Sequence, residues 1–201
     1  MKLRMVGLAL VALLGASEAR AQWDAPAFLP PRPGDDIGIY LSDIADFGIQ
    51  GIWRQHGNLN LGVRAGYIDT AGDGIVLVGV ETWGLIYSAP RELPVDVTWT
   101  LGAGATFDGG TLLEIPLGLS IGRVVPLEAL TLQLYGHPRL GLFIYSNAAD
   151  DLEMEFDGLF DLGAEAVLNE NLKLRLAATF GDVDTIGLGL AFRWSRGAVV
   201  R

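Results

Sequence analysis

The stretch that most limits what this chain can become is its last hairpin, Asn171 to Trp194. It reads NLKLRLAATF, a GDVD turn, then TIGLGLAFRW. In the first arm Leu172, Leu174, Leu176, Ala178 and Phe180 share one parity, and Lys173, Arg175, Ala177 and Thr179 the other. In the second, Ile186, Leu188, Leu190, Phe192 and Trp194 alternate with Thr185, Gly187, Gly189, Ala191 and Arg193. Successive side chains of a strand point to opposite faces, so each arm predicts a strand with one continuous apolar face. About ten residues per arm is also the length at which a tilted strand crosses a bilayer.

The same period recurs upstream, broken by turn residues. It predicts strands near 34–42, 46–55, 59–70, 74–88, 95–107, 111–125, 130–146, 156–168, 171–180 and 185–194. The segments between them (SDIAD, HGN, AGDG, APRELP, DGG, PLEA, NAADDLE, NEN, GDVD) carry the residues that adopt turn geometry at low cost. One strand resists: a fixed parity in 74–88 puts Glu81 beside Trp83 and Leu85, and a bulge near Glu81 and Thr82 would repair it. Pro116 and Pro138 fall inside strands and each require a bulge or a broken ladder.

Ahead of the strands stand two segments of other character. Residues 1–21 have a basic start (Lys2, Arg4), an apolar run from Met5 to Gly15 and an Ala19-Arg20-Ala21 cleavage site, the pattern of a secretory signal peptide. Residues 22–33 hold four prolines and no periodicity, and read as an extended lead-in. The barrel then occupies 34–194, and 195–201 is a short tail. Removing Lys2, Arg4, Glu18 and Arg20 leaves 11 Lys+Arg against 23 Asp+Glu, a net charge of about −12, which disfavours nucleic acid as a partner. Without cysteine there is no disulfide scaffold. A mean hydropathy of +0.35 with 27 glycines and no long apolar run fits strands, rather than helices, in lipid.

The second face of the strands is mostly Gly, Ala, Thr and Ser, which suits the crowded interior of a narrow barrel better than a wet surface. The apolar face is therefore assigned to lipid. The fold class is all-β: a closed, antiparallel, up-and-down transmembrane barrel of ten strands, with eight as the alternative. The small-residue face carries Asp96, Glu114, Asp157, Asp161 and Glu165 against Arg64, Arg139, Lys173, Arg175 and Arg193. Charges in a narrow lumen have to pair, which predicts a plug of ion pairs. A three-residue turn near Asn169 or Glu170 would set Glu165 opposite Lys173. With a periplasmic N-terminus, the loops at the outer mouth are all acidic. Trp53, Trp99 and Trp194 then fall at the inner rim, and Phe107, Phe143, Tyr145 and Phe180 towards the outer rim, as two aromatic girdles.

On these residues the chain resembles the small outer-membrane β-barrel proteins of Gram-negative bacteria, the OmpA/OmpX-like kind. The last strand, Ile186-x-Leu188-x-Leu190-x-Phe192-x-Trp194, is similar to the C-terminal signal that such proteins present to the barrel-assembly machinery. The resemblance implies outer-membrane lipid and that machinery as partners. Here Ser195 to Arg201 follow the terminal aromatic residue, a departure from the usual pattern.

Little chemistry is legible. His56 and His137 are the only histidines, and His137, Ser146 and Glu114 are no more than an imaginable nucleophile–base–acid group. Asp151, Glu153, Glu155 and Asp157 share one parity at the outer mouth and are weak candidates for a divalent cation such as Ca²⁺, although they lack EF-hand spacing. Nothing points to a cofactor. The leading expectation is a non-enzymatic outer-membrane barrel with a structural or surface role. A small-solute channel, a membrane-embedded hydrolase and a soluble lipid-binding barrel are the alternatives.

Overall fold

The computed structural model describes residues 25–70, 73–88, 95–107, 111–146, 152–182 and 184–194. The expected signal peptide, the tail 195–201 and Asp151 lie outside the described residues. The ten strands are β1 Asp36–Ser42, β2 Phe47–Gln55, β3 Leu61–Thr70, β4 Asp73–Tyr87, β5 Asp96–Phe107, β6 Thr111–Pro126, β7 Thr131–Ser146, β8 Leu152–Val167, β9 Leu172–Phe180 and β10 Thr185–Arg193. Each pairs antiparallel with its sequence neighbours, and β1 pairs with β10 to close the barrel. Ten strands, not eight, form the wall. The end that carries Asp36 and Arg193 is called the near end; the opposite end is the far end.

Alternation decides which way each side chain points. Ile37, Ile39 and Leu41 of β1, Leu113, Ile115 and Leu117 of β6, and Ile186, Leu188 and Leu190 of β10 are all exposed on the outside. Such a surface is at home in hydrocarbon, and leaving it in water would cost about 25 cal/mol for every Å². Among the described residues no helix is long and apolar enough to cross a membrane.

Both prolines interrupt a ladder, as their missing N–H requires. The β5–β6 ladder skips the pairs between Leu101↔Leu117 and Gly104↔Glu114, next to Pro116, with its register unchanged. The β6–β7 ladder does the same between Gly118↔Arg139 and Ile121↔Gly136, next to Pro138.

Three local expectations need correction. β4 has no bulge at Glu81: its pairing with β5 runs unbroken to Leu85, and the irregularity lies between Leu85 and Tyr87. The inward residues are therefore Ile75, Leu77, Glu81 and Trp83, with Val76, Val78 and Val80 outside. Both faces of β4 are apolar, so parity alone could not choose between them. The β8–β9 hairpin closes from Leu168 N–H to the Leu172 carbonyl around a three-residue turn centred on Glu170, which sets Glu165 opposite Arg175 and Val167 opposite Lys173, not Glu165 opposite Lys173. Asn169 caps this turn, because its Oδ1 accepts from the backbone N–H groups of Asn171 and Leu172, both at 2.9 Å. β8 also begins at Leu152, not near 156, because its backbone continues to pair with β7 through Tyr145↔Glu153.

The largest departure concerns the lead-in. Ala25 to Pro33 threads the lumen, with Ala25, Ala27, Phe28 and Leu29 each at most 3% exposed. Ala25 packs among Ile44, Ile68, Ile75 and Leu77 at the far end. Phe28 meets Tyr40, Ile52, Ala177 and Ala191 at mid-height, with ring centroids 4.4 Å apart between Phe28 and Tyr40. Arg32 reaches Asp96 at the near end. The segment thus descends the lumen from Ala25 at the far end to the near end and turns back into β1. Phe28 holds φ at 48°, a left-handed conformation costing a non-glycine residue about 1–3 kcal/mol.

Candidate functional site: the filled lumen

The wall presents donors to the threaded segment, and the segment presents mainly carbonyls. Prolines at 26, 30, 31 and 33 explain that imbalance, since each removes a backbone N–H and leaves a carbonyl to be satisfied. Arg54 of β2 donates from Nη1 to the Phe28 carbonyl and from Nη2 to the Ala27 carbonyl, both at 2.8 Å. Ser120 of β6 donates to the Leu29 carbonyl at 2.7 Å, and Thr98 of β5 to the Pro31 carbonyl at 2.6 Å. Gln133 of β7 reaches the Arg32 carbonyl at 3.4 Å. In the other direction, the Ala27 N–H donates to Asp161 Oδ2 at 3.4 Å.

Around this segment the charged side chains form clusters. Glu81 of β4 accepts from Arg54 Nε at 2.6 Å and from Arg64 Nη2 of β3 at 2.5 Å. Arg64 also touches the Ala27 carbonyl at 3.3 Å, so this cluster holds wall and segment together. Arg175 of β9 donates from Nε to Glu165 at 2.6 Å, and from Nη2 to Asp36 and Nη1 to the Tyr40 hydroxyl, both at 2.5 Å. Lys173 joins it, 3.2 Å from Asp36 and 3.5 Å from Glu165. Asp161 of β8 accepts from Arg139 and from Thr179, both at 2.7 Å, and lies 3.1 Å from His137 Nδ1. Arg32 of the segment pairs with Asp96 at 2.7 Å and donates to Ser88 at 3.0 Å. Buried charges of this kind are tolerable only when each finds partners, because the desolvation of an unpaired ion is several kcal/mol.

Of the charges that the sequence placed in the lumen, Arg64, Asp96, Glu114, Arg139, Asp161, Glu165 and Arg175 are all buried there. Lys173 is partly exposed and Asp157 half-buried. Arg193 differs: it shares the lumenal parity but lies exposed at the near end, where β10 stops. Asp36, Arg54 and Glu81 were missed. Asp36 and Arg54 were within reach, since each stands opposite the outward Ile37 or Trp53 in parity. Glu81 was not, for the reason given for β4.

The aromatic residues also divide. Trp99, Phe107, Phe180 and Trp194 stand exposed on the outside, and Trp53 is half-buried on the same face. Tyr145 is a correction, and Phe143 with it. Both share the inward parity of β7, where Phe143 is buried and the two rings stack at 6.5 Å. β7 stays paired with β8 to Ser146↔Leu152, and these rings point inward at the far mouth.

His137 proves to be the centre of a hydrogen-bonded chain that the sequence did not reveal. Its Nε2 lies 2.9 Å from Thr100 Oγ1 and its Nδ1 3.1 Å from Asp161. Of the companions imagined for it, Glu114 is buried in the lumen, and the Ser146 side chain lies outside the described residues. A cavity of about 20 Å³ beside it, lined by Ala27, Glu81, Thr100, His137 and Arg139, is large enough for a single water. Hydroxyl, imidazole and carboxylate in line can pass a proton. Of the weak cation candidates, Glu153 and Glu155 are exposed on β8, and Asp157 accepts from the Gly158 N–H at 2.7 Å. Among the described residues no three metal-ligating side chains converge.

Closed wall, apolar exterior and polar, charge-paired interior together decide the architecture. The chain is a closed, ten-stranded, up-and-down antiparallel β-barrel. No family model and no curated protein matches it. Solved structures do match over most of the chain. One is titled KdgM porin, with 8% identity over 80% of this chain and 99% of that one, at a TM-score of 0.46. Another is the Acinetobacter baumannii outer membrane protein Omp33, with 12% identity over 79% and 97%, at 0.36. A third is Ail, the attachment invasion locus protein of Yersinia pestis, in complex with the heparin analogue sucrose octasulfate, with 11% identity over 81% and 100%, at 0.30. Likeness at this level says nothing about what this barrel binds or does.

Proposed function

We propose that this is an integral protein of the bacterial outer membrane, non-enzymatic, with a structural or surface role and a closed lumen. It is exported by a cleaved signal peptide (1–21) and handed to the barrel-assembly machinery through β10. The far end is the outer mouth and the near end faces the periplasm. The observation that carries the reading is the filling of the lumen by Ala25–Pro33 and the charge clusters of Glu81, Arg175 and Asp161.

The hydrolase alternative would need Thr100 as nucleophile. Thr100 and His137 are buried, and Asp161 is already occupied by Arg139, Thr179 and the Ala27 N–H. That arrangement supports a role for the His137 chain in locking the segment to the wall. A soluble lipid-binding barrel is disfavoured by its sidedness, because the apolar face is outside.

The test is fractionation followed by planar-bilayer recording. The protein is expected with outer membranes, extracted only by detergent, migrating as a heat-modifiable band, and silent at low voltage. Recovery without detergent, or steady conductance of the full-length barrel, would contradict the reading.

A further inference from the structure

We propose that Ala25–Pro33 is a displaceable plug, and that its withdrawal turns the lumen into a conduit that prefers small cations. The inference rests on the closed, membrane-spanning barrel of the proposed function and adds an activity to it.

The first observation is how the segment is held. It occupies the centre of the barrel, yet no backbone–backbone hydrogen bond ties residues 25–33 to any strand among the described residues; the bonds run from side chains such as Arg54, Thr98 and Ser120 to its carbonyls. Withdrawal therefore leaves the ladder between all ten strands intact. Water can replace those side-chain donors one for one, whereas a strand could leave only by opening the sheet.

The second observation is its reach. Its contacts run from Ile44 and Ile68 around Ala25 at the far end to Asp96 beside Arg32 at the near end. The path it vacates therefore joins the two mouths of the barrel and is as wide as one polypeptide. The wall clusters survive withdrawal, since Glu81 keeps Arg54 and Arg64, and Arg175 keeps Asp36 and Glu165.

The third observation is strain. Phe28 sits at φ 48° to place its ring on Tyr40, a conformation that it gives up on leaving. A permanent filler gains nothing from such a residue; a segment poised between two states does.

Charge then sets the preference. Among the described residues the wall buries six acids, and faces them with four buried arginines and the partly exposed Lys173. Arg32 on the segment supplies the sixth base, on Asp96. Withdrawal removes this positive charge from the near mouth, and a narrow, low-dielectric passage turns its loss into a shift towards cations.

The experiment compares the full-length barrel with a variant lacking residues 25–33 in planar bilayers. The shortened barrel, folded by the heat-modifiability criterion, is expected to show conductance steps whose reversal potential in a KCl gradient has the sign for K⁺. Asp96→Asn in the shortened barrel should weaken that preference. In parallel, Ala27→Cys places a single thiol in a chain without native cysteine. A water-soluble maleimide should label it to completion in the folded barrel, and roughly threefold faster with Arg32→Ala, the effect of losing one half-exposed ion pair. A folded shortened barrel that does not conduct, or one that prefers anions, would overturn the proposal. If the shortened chain fails to fold, the labelling decides: a thiol that reacts only after denaturation overturns displaceability. Steady conductance of the full-length protein would instead overturn the closed-lumen reading.

Discussion

Glu81 and Glu165 look alike in composition and differ in consequence. Glu81 is the carboxylate that both Arg54 and Arg64 use. Glu81→Gln leaves two buried guanidinium groups short of a counter-charge and should cost about 3–5 kcal/mol of stability. Glu165→Gln should cost markedly less, because Arg175 retains Asp36 through two hydrogen bonds. Urea unfolding from lipid vesicles measures both, and equal losses would show that the clusters are not organised in this way. The two residues also differ in how visible they were. Glu165 stood in a strand with clean alternation, so its parity gave its face. Glu81 sat between valines on one side and Ile75, Leu77 and Trp83 on the other, and two-sided hydrophobicity carries no facing information.

Elements were more legible than their ends. All ten strands lie where the period of two and the turn residues placed them, because a wall between lipid and a polar lumen forces alternation on every strand. What failed were features fixed by single side chains acting on the backbone. Asn169 caps two N–H groups in a β8–β9 turn centred on Glu170, and that centre sets Glu165 opposite Arg175 in the ladder instead of Lys173. Asn169→Ala should cost about 1–2 kcal/mol in the same unfolding assay, and no change would argue against the capping. The inward glycines have a purpose that composition cannot show. A Cβ at Gly189 or Gly163 would collide with the ring of Tyr40 or Tyr135, so these glycines are slots for aromatic side chains. Gly189→Val should destabilise the barrel by roughly 1–3 kcal/mol through overpacking. An unchanged urea midpoint would count against that packing.

At the scale of the whole molecule, the lead-in is where the sequence fell short. Four prolines and no period describe an extended chain equally well inside or outside the barrel. Only the wall distinguishes the two, by setting Arg54, Thr98, Ser120 and Asp161 where the carbonyls and the one N–H of the segment fall. Thr98, Ser120 and Asp161 were legible as lumenal polar residues and Arg54 was missed, but the target of all four was not legible, since nothing local to them encodes a contact with residues 25–33. The arrangement gives the barrel an interior made from its own N-terminal segment, and that is the central claim. Its most direct test is a nuclear Overhauser spectrum of the protein in lipid nanodiscs. The Phe28 ring should show cross-peaks to Tyr40, Ala177 and Ala191 and none to lipid acyl chains, while Leu188 shows cross-peaks to acyl chains. A Phe28 ring with cross-peaks to lipid or solvent and none to Tyr40 would contradict it.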